Sequence, residues 1–274
     1  MMDFQPLAGV DVPRASRVRD TLEQLAWYSG GLLLPMEGCA RRWLQSGANV
    51  PLGVVLPAIG TQLVGTLPVS AVIQRLHDWF LLDGRIAHIN HYFQLSGNWQ
   101  PLVSAIDESL VMREAVQLYA AGFHYQDTVI YDQYRRRIAM GKPVLRGKVL
   151  LDRPELIDAY FARFVELFHS VKTNGLHFLS DYADVVADRP GLPAWRTRWI
   201  EWSEREIGVA IGADGSFYRL PGGQHRTAIA RVLGLPALPV QVRLVHAEWM
   251  ARQPEKTPWQ AIRRALDEAQ DYAA

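Results

Sequence analysis

The segment from Glu206 to Val245 has the sequence EIGVAIGADGSFYRLPGGQHRTAIARVLGLPALPVQVRLV, and its hydrophobic pattern changes several times. Ile207–Ile211 and Ser216–Leu220 are short apolar runs on either side of an Asp-Gly turn, which is typical of a β-hairpin. Thr227–Leu233 has apolar residues at helical spacing, and Pro239–Val245 has the β-branched composition of a strand. The segment therefore predicts a hairpin, a glycine-rich turn, a helix and a strand, in that order.

The turn that joins the hairpin to the helix, Gly222–Arg226, has the chemistry of an anion site. Two glycines let the backbone approach a ligand closely, and the first amides and the dipole of a helix favour negative charge. Arg226 is unfavourable at this end of a helix unless an anion is bound, and His225 could add a hydrogen bond. The turn therefore predicts a phosphate site. The alternative is a plain tight turn, with Arg226 paired to Glu204 or Glu206.

Composition narrows the classes of protein to which the chain can belong. Hydrophobic residues make up 49% and aromatic residues 10% of the chain, which predicts a folded protein with a real core. The 29 basic and 28 acidic residues leave a net charge of +1, so no global positive field attracts DNA or an acidic membrane. Cys39 is the single cysteine, which excludes an intramolecular disulfide and a cysteine-based zinc site. With no secretory signal pattern at the N-terminus, we expect a cytoplasmic protein.

One uncharged stretch, from Trp43 to Gln74, is long enough to cross a bilayer. Prolines and glycines interrupt it throughout, and lipid cannot replace the helical hydrogen bonds that proline removes. We expect a buried, loop-rich segment here, and neither membrane spanning nor peripheral membrane contact.

The pattern along the chain predicts an α+β protein. The N-terminal part is predicted as a mostly helical domain of unknown role, residues 1–141, followed by a mixed α/β domain at 142–250 and a C-terminal helix within 251–274. The helices predicted in the first domain span residues 17–28, 69–82, 85–95, 102–121 and 128–140. The helix predicted near residue 195 carries Trp195, Trp199 and Trp202 on one face.

From Gly141 onward the pattern predicts strands before the next helix. Residues 143–151 are typical of a strand or strand pair. Asp152 and Glu155 have capping-box spacing around Pro154, and the apolar residues from Ile157 to Phe168 recur at helical spacing. We therefore predict a helix capped by Asp152 that ends at Asn174-Gly175.

The stretch Leu220–Val242 resembles the nucleotide-binding core of the ParB/sulfiredoxin superfamily, in which a Gly-x-His-Arg or Gly-Glu-Arg-Arg turn opens a helix. The resemblance extends over residues 142–249 and is closest from Glu206 to Val245. The sulfiredoxin turn is Gly-Gly-Cys-His-Arg, and Gln224 here replaces its reactive cysteine. The resemblance therefore does not imply sulfinic acid repair.

Similarity to the free-serine kinases of this superfamily implies an ATP- and Mg-dependent phosphotransferase that acts on a small hydroxylated molecule. The backbone amides of Gly222, Gly223 and Gln224 would then hold the phosphates. His225 and Arg226 would stabilise charge on the transferred group.

The same resemblance implies further site residues. Thr227 could offer its hydroxyl to phosphate or magnesium, and Arg146 and Lys148 are candidates for a second phosphate contact. Asp152 or Glu155 could accept a substrate proton or orient magnesium. Both carboxylates also occupy preferred capping positions, so plain helix capping is the alternative.

Other members of the superfamily imply other functions. The partition ParB proteins bind CTP and carry a helix-turn-helix for DNA, which implies a non-catalytic regulator that binds CTP or ATP. No helix-turn-helix is apparent after Trp249, so nucleic acid is not expected as a partner. A degenerate scaffold with an empty turn is a third alternative. His88 and His91 could form a metal pair, although no third ligand is assignable and a polar or interface pair is the alternative.

Overall fold

The protein is described here from a computed structural model that covers residues 60–82, 85–146, 149–178, 206–255 and 257–271, together with Leu52, Val55 and Ile59. These residues divide into two compact units. The sheet unit comprises those within 60–105, 177–223 and 237–271. The helical unit comprises Ile106–Leu176 and Gln224–Pro236.

A mixed sheet forms the centre of the sheet unit. Among the described residues, seven strands take part, in the order β1-β11-β9-β10-β2-β6, and β5 pairs with the carboxyl end of β11. Their bounds are β1 Val64–Pro68, β2 Gln74–Leu76, β5 Gln94–Leu95, β6 Val103–Ala105, β9 Ile207–Ile211, β10 Phe217–Arg219 and β11 Ala237–His246. A separate two-stranded ribbon consists of β3 Trp79–Leu82 and β4 Arg85–His88.

The centre of this sheet consists of β9 and β11, which run parallel. Every residue of β9 is buried, as expected for a central strand of such an apolar sequence. The sheet contributes residues to an apolar cluster that includes Leu76, Ala210, Tyr218 and Leu244 of its strands and Phe80 of β3. The unit also contains α5 (Ala247–Ala251) and α6 (Pro258–Asp271), whose Leu266 lies against Gly65 of β1.

The helical unit has its own apolar core. Its elements are α1 Leu110–Ala120, α2 Val129–Ala139, the hairpin β7 Val144–Arg146 with β8 Val149–Leu151, α3 Pro154–Asn174 and α4 Gln224–Leu233. The Ser109 hydroxyl accepts from the amide of Met112 and caps α1, and Thr128 caps α2 in the same way. Phe161, Phe164 and Phe168 of α3 bury the apolar face that their spacing predicted.

The structure confirms the predicted α+β class and the order hairpin, glycine turn, helix, strand between Glu206 and Val245. It also confirms the strand pair within 143–151, the helix near 128–140 and the end of α3 at Asn174, where Gly175 has φ 76°. It confirms the C-terminal helix predicted within 251–274, which spans Pro258–Asp271 and buries Ile262 and Leu266.

The helices predicted at 69–82 and 85–95 are wrong. These residues form β2, β3, β4 and β5, with short 3-10 turns before β2 and between β4 and β5. Val72, Leu76 and Phe80 are buried, but Ile73 and Trp79 are 55% and 47% exposed. A spacing of four residues fits a strand period of two as well as a helix, so the buried triplet did not separate the two structures. Likewise, the helix predicted at 102–121 begins only at Leu110, after β6.

The predicted capping box at α3 is also wrong. The helix begins at Pro154, and its N-cap is Arg153 with no capping side-chain hydrogen bond. Asp152 instead forms an exposed ion pair with Arg153, 3.4 Å between Oδ1 and Nε. The two units differ from the predicted domains 1–141 and 142–250, because β1 and β5 pair with β11 and β2 pairs with β10. The predicted helices at 17–28 and around Trp195, Trp199 and Trp202 lie outside the described residues.

Candidate functional site

The glycine turn at the end of β10 is built for glycine at both positions. Gly222 has φ 100° and Gly223 has φ 66°, a region that disfavours other residues. A Cβ at Gly223 would lie 2.8 Å from Ile207 Cγ1 and 3.1 Å from its Cα, which is closer than a real contact allows. The backbone at Gly223 therefore packs directly on β9.

Two buried arginines of the sheet unit lie beside this turn. Arg219 Nη1 donates to the carbonyl oxygens of Leu220, at 2.9 Å, and Gly222, at 3.4 Å. Arg243 Nη2 donates to the Glu206 carbonyl at 2.9 Å, and its Nη1 would lie 3.8 Å from a Cβ on Gly222. Arg243 of β11 therefore lies close to Gly222. Arg219 was not singled out from the sequence.

The residues that follow begin α4, in the helical unit. Gln224 is exposed, and His225 and Arg226 are half-buried. Thr227 is fully buried, which withdraws its hydroxyl from solvent. A ligand at the first turn of α4 could therefore approach Gln224, His225 and Arg226 but not the hydroxyl of Thr227.

His225 belongs to a polar cluster inside the helical unit, which we call the Glu114 cluster: Glu114, Tyr134, Arg146, Tyr160 and His225. Arg146 and Tyr134 both donate to Glu114 Oε1, and Tyr160 donates to Oε2 at 2.8 Å. Tyr160 Oη lies 3.0 Å from His225 Nε2. The Glu114 side chain has no exposed surface and forms an ion pair with Arg146.

The cluster determines which nitrogen of His225 carries a proton. The Tyr160 hydroxyl has one proton and gives it to Glu114, because a carboxylate can only accept. Tyr160 Oη must then accept from His225, so the donor is Nε2–H. In its neutral form His225 therefore has its lone pair on Nδ1, which is the atom able to take a proton. The edge-to-face packing of Phe164, 4.7 Å from His225 between ring centres, fixes the ring further.

The electrostatics of the Glu114 cluster keep its tyrosines protonated. Burial and then the negative charge of Glu114 raise the pKa of Tyr160 and of Tyr134 above the ordinary value for a phenol. Burial alone would lower the pKa of Arg146, but Glu114, Tyr160 and Tyr134 together outweigh burial, so the pKa is raised. The cluster therefore holds one compensated ion pair and two neutral phenols.

The structure brings some predicted residues together and separates others. Arg146, predicted as a phosphate contact, is joined to His225 through Glu114 and Tyr160, and its charge is compensated within the protein. Asp152 and Glu155 are exposed at the start of α3 and take no part in the cluster. Lys148 lies outside the described residues.

Glu114 and Tyr134 were missed by sequence reasoning, although Glu114 carries a signal. It falls three residues after Val111 and four before Leu118, on the apolar stripe of α1. A charged residue on such a stripe is buried only when paired, so its position indicates a buried partner. Nothing in the spacing of α1 indicates that the partner is Arg146.

The lesser candidates do not form a site. His88 and His91 lie 5.6 Å apart between ring centres, and burial lowers the pKa of both. Over the part of the chain that the structure describes, no three His, Cys, Asp or Glu side chains lie close enough to hold a metal. Arg135–Arg137 are exposed on α2, as expected of a solvated helix face. His246 is bound to the Gly97 carbonyl oxygen at 2.8 Å.

Comparison of the chain with protein-family models, with curated proteins and with solved structures gives no match. Within the described ranges, no helix is both long and apolar enough to cross a bilayer.

Proposed function

We propose that the protein is a nucleotide-dependent phosphotransferase that binds ATP phosphates at the start of α4 and acts on a small hydroxylated molecule. The observation that carries this proposal is the glycine turn. Gly222 and Gly223 both have positive φ directly before Gln224 begins α4, and Gly223 has no space for a side chain. The partial positive charge at a helix N-terminus favours a phosphate there.

The order β9, β10, glycine turn, α4, β11, with β11 parallel to β9, supports the resemblance to the ParB/sulfiredoxin superfamily. In that superfamily the corresponding turn receives a nucleotide. Gly222, Gly223 and Gln224 would supply the backbone contacts to the phosphates here as well.

His225 and Arg226 would stabilise charge on the transferred group. Phosphoryl transfer depends on positioning and charge stabilisation more than on covalent chemistry. The Glu114 cluster supports this role for His225, because Tyr160 and Phe164 hold the ring in one orientation. Arg226 adds a permanent positive charge to the same turn of helix.

Magnesium fits this proposal as part of the nucleotide. The described residues offer no acidic cluster for it, and Mg²⁺ commonly binds through substrate phosphates and waters. When bound, the ion would neutralise phosphate charge. Asp152 and Glu155 are exposed carboxylates at the start of α3 and remain candidates for the base that accepts the substrate proton.

The test is calorimetry with ATP and CTP, each with and without Mg²⁺, on the wild type, Arg226→Ala and Arg231→Ala. Arg231 is the matched control, because it lies in the last turn of the same helix and pairs with Asp107. We expect ATP to bind the wild type and Arg231→Ala, and Arg226→Ala to bind at least ~10-fold more weakly. An absence of nucleotide binding in the wild type would remove the proposal.

Turnover separates the enzyme from the regulator. With a mixture of small hydroxylated acceptors, phosphorus NMR should show ADP and a new phosphate ester in equal amounts. Binding of CTP without turnover, together with duplex DNA binding that CTP stimulates, would instead establish the ParB-like regulator.

A further inference from the structure

Three polar side chains lie in one row across the sheet, on the side of β10 away from β9. Arg219 of β10 is directly opposite Arg75 of β2, and Arg75 is directly opposite Ser104 of β6. Directly opposed residues on neighbouring strands project from the same face of a sheet. The three residues, which we call the Arg75 row, therefore share one face.

Some hydrogen-bond donors of the Arg75 row have no acceptor among the described residues. Arg75 Nε and Ser104 Oγ are both buried, and neither forms a hydrogen bond with any part of the chain that the structure describes. Arg219 is 4% exposed and uses only Nη1, for the carbonyls of Leu220 and Gly222. Burying donors without acceptors costs free energy, so an acceptor from outside the protein would stabilise the row.

The charges of the Arg75 row are also unbalanced. Burial first, and the positive charge of Arg75 second, lower the pKa of Arg219 to about 10, against an opposing effect of Asp78. Burial and then Arg75 lower the pKa of His77. Asp78 is exposed and forms no ion pair with either arginine within the described residues. Two arginines therefore occupy directly opposed positions on neighbouring strands, and the one acidic residue that acts on Arg219 does not cancel the effect of burial and of Arg75.

We propose that the Arg75 row is a binding site for a phosphate dianion, either inorganic phosphate or the terminal phosphate of a monoester. The positive charges of Arg75 and Arg219 are balanced by two negative charges, which a phosphate dianion carries and a single carboxylate does not. Arginine forks match phosphate oxygens, and the Ser104 hydroxyl adds a third donor. This site consists of residues of the sheet unit, and it does not depend on the proposed function.

The experiment measures thermal unfolding of the full chain against inorganic phosphate, and separately against glycerol phosphate, at constant ionic strength with chloride as the balancing ion. The variants are Arg75→Gln, Ser104→Ala and the control Arg135→Gln, which removes an exposed arginine on α2. We expect the wild type and Arg135→Gln to gain stability saturably with phosphate. Arg75→Gln should bind at least ~10-fold more weakly and Ser104→Ala roughly 3-fold more weakly.

A response to glycerol phosphate but not to inorganic phosphate would identify the ligand as a monoester, and equal responses would identify the phosphate group alone. A second readout is the stability without phosphate. Arg75→Gln removes repulsion from Arg219, so it should unfold at the same temperature as the wild type or higher.

Two results would overturn the proposal: equal phosphate stabilisation of wild type, Arg75→Gln and Ser104→Ala, or a chloride effect as large as that of phosphate. If Arg75→Gln does not fold, Ser104→Ala decides between these outcomes. Nucleotide binding at the glycine turn is measured separately, by calorimetry, so either idea can fail alone.

Discussion

Each unit contains a pair of neighbouring charged side chains of which at least one is buried, and the two pairs differ in sign. The helical unit buries Arg146 against Glu114, with two tyrosines completing the hydrogen bonds. The sheet unit places Arg219 directly opposite Arg75, so that like charges adjoin. A buried pair of opposite sign is satisfied within the protein, whereas a like pair raises the free energy of the folded chain.

Because of this difference, we expect the pair in the helical unit to position a neighbouring side chain and the pair in the sheet unit to bind an anion. In the Glu114 cluster the carboxylate compensates the charge of Arg146, and Tyr160 holds His225 in one protonation pattern, although Arg146 Nε is buried without a hydrogen-bond partner. The Arg75 row is stabilised only when an anion arrives from outside.

The largest effect is expected from Glu114→Gln. The change keeps the side-chain volume but leaves Arg146 buried without its counter-charge. We expect the free energy of unfolding to fall by ~3–5 kcal/mol, as for other broken buried ion pairs. Urea denaturation followed by circular dichroism measures it.

The control for this change is Glu108→Gln, at an exposed position just before α1. It should alter stability by no more than ~0.5 kcal/mol. A loss below ~1 kcal/mol for Glu114→Gln would show that the cluster is not the compensated pair described here.

Gly223→Ala should give the next largest effect. The new Cβ would meet Ile207 at 2.8 Å, and the φ of 66° would strain the backbone. Gly234→Ala is the matched control, because it has φ 64° and no atom within 4 Å of the new Cβ. Both variants carry the backbone strain, and the collision should cost Gly223→Ala a further ~1–3 kcal/mol. Equal losses of stability in urea denaturation would show that the turn does not need the close approach.

The two halves of the chain differ in how far sequence predicts them. From Glu206 to Val245 the Asp-Gly turn, the paired glycines and the helix stop mark each boundary chemically, and the predicted element order is confirmed. From Val69 to Leu95 only hydrophobic spacing is available, and a spacing of four fits both periods. Of those strands, β2 and β5 pair with β10 and β11, which are far away in sequence, and β3 and β4 pair with each other.

The sequence likewise predicts only part of the candidate site. His225 stands out because a histidine follows a glycine turn, and the other members of the cluster come from four other elements. Tyr160 was predicted on the buried face of α3, but its hydrogen bonds depend on packing between helices. Arg219 and Arg75 meet only through strand register, which no local pattern specifies.

Tyr160→Phe tests whether the Glu114 cluster positions His225. Loss of the hydroxyl should lower stability by ~1–2 kcal/mol and remove the acceptor for His225 Nε2–H. Nitrogen NMR of the imidazole should show the Nε2–H form in the wild type and a mixture in the variant. Tyr131→Phe, which loses a hydrogen bond to Asp158 in the same unit, should leave the His225 signal unchanged. A wild-type signal from the Nδ1–H form would contradict the arrangement.

The smallest effect is a loss of stability in alkali. Burial and the charge of Glu114 raise the pKa of Tyr134 and Tyr160 in the folded chain, although Arg146 opposes this. Above pH ~10 an unfolded chain releases those protons while the folded chain keeps them. Stability therefore falls as pH rises past that value, since the folded state then binds more protons. The Tyr134→Phe/Tyr160→Phe double variant should lose less stability between pH 9 and 11 than wild type does, relative to its own value at pH 8, by the same argument. As the pH is raised, tyrosinate absorbance from the exposed phenols should increase before the chain unfolds. Tyr134 and Tyr160 should ionise only when the chain unfolds.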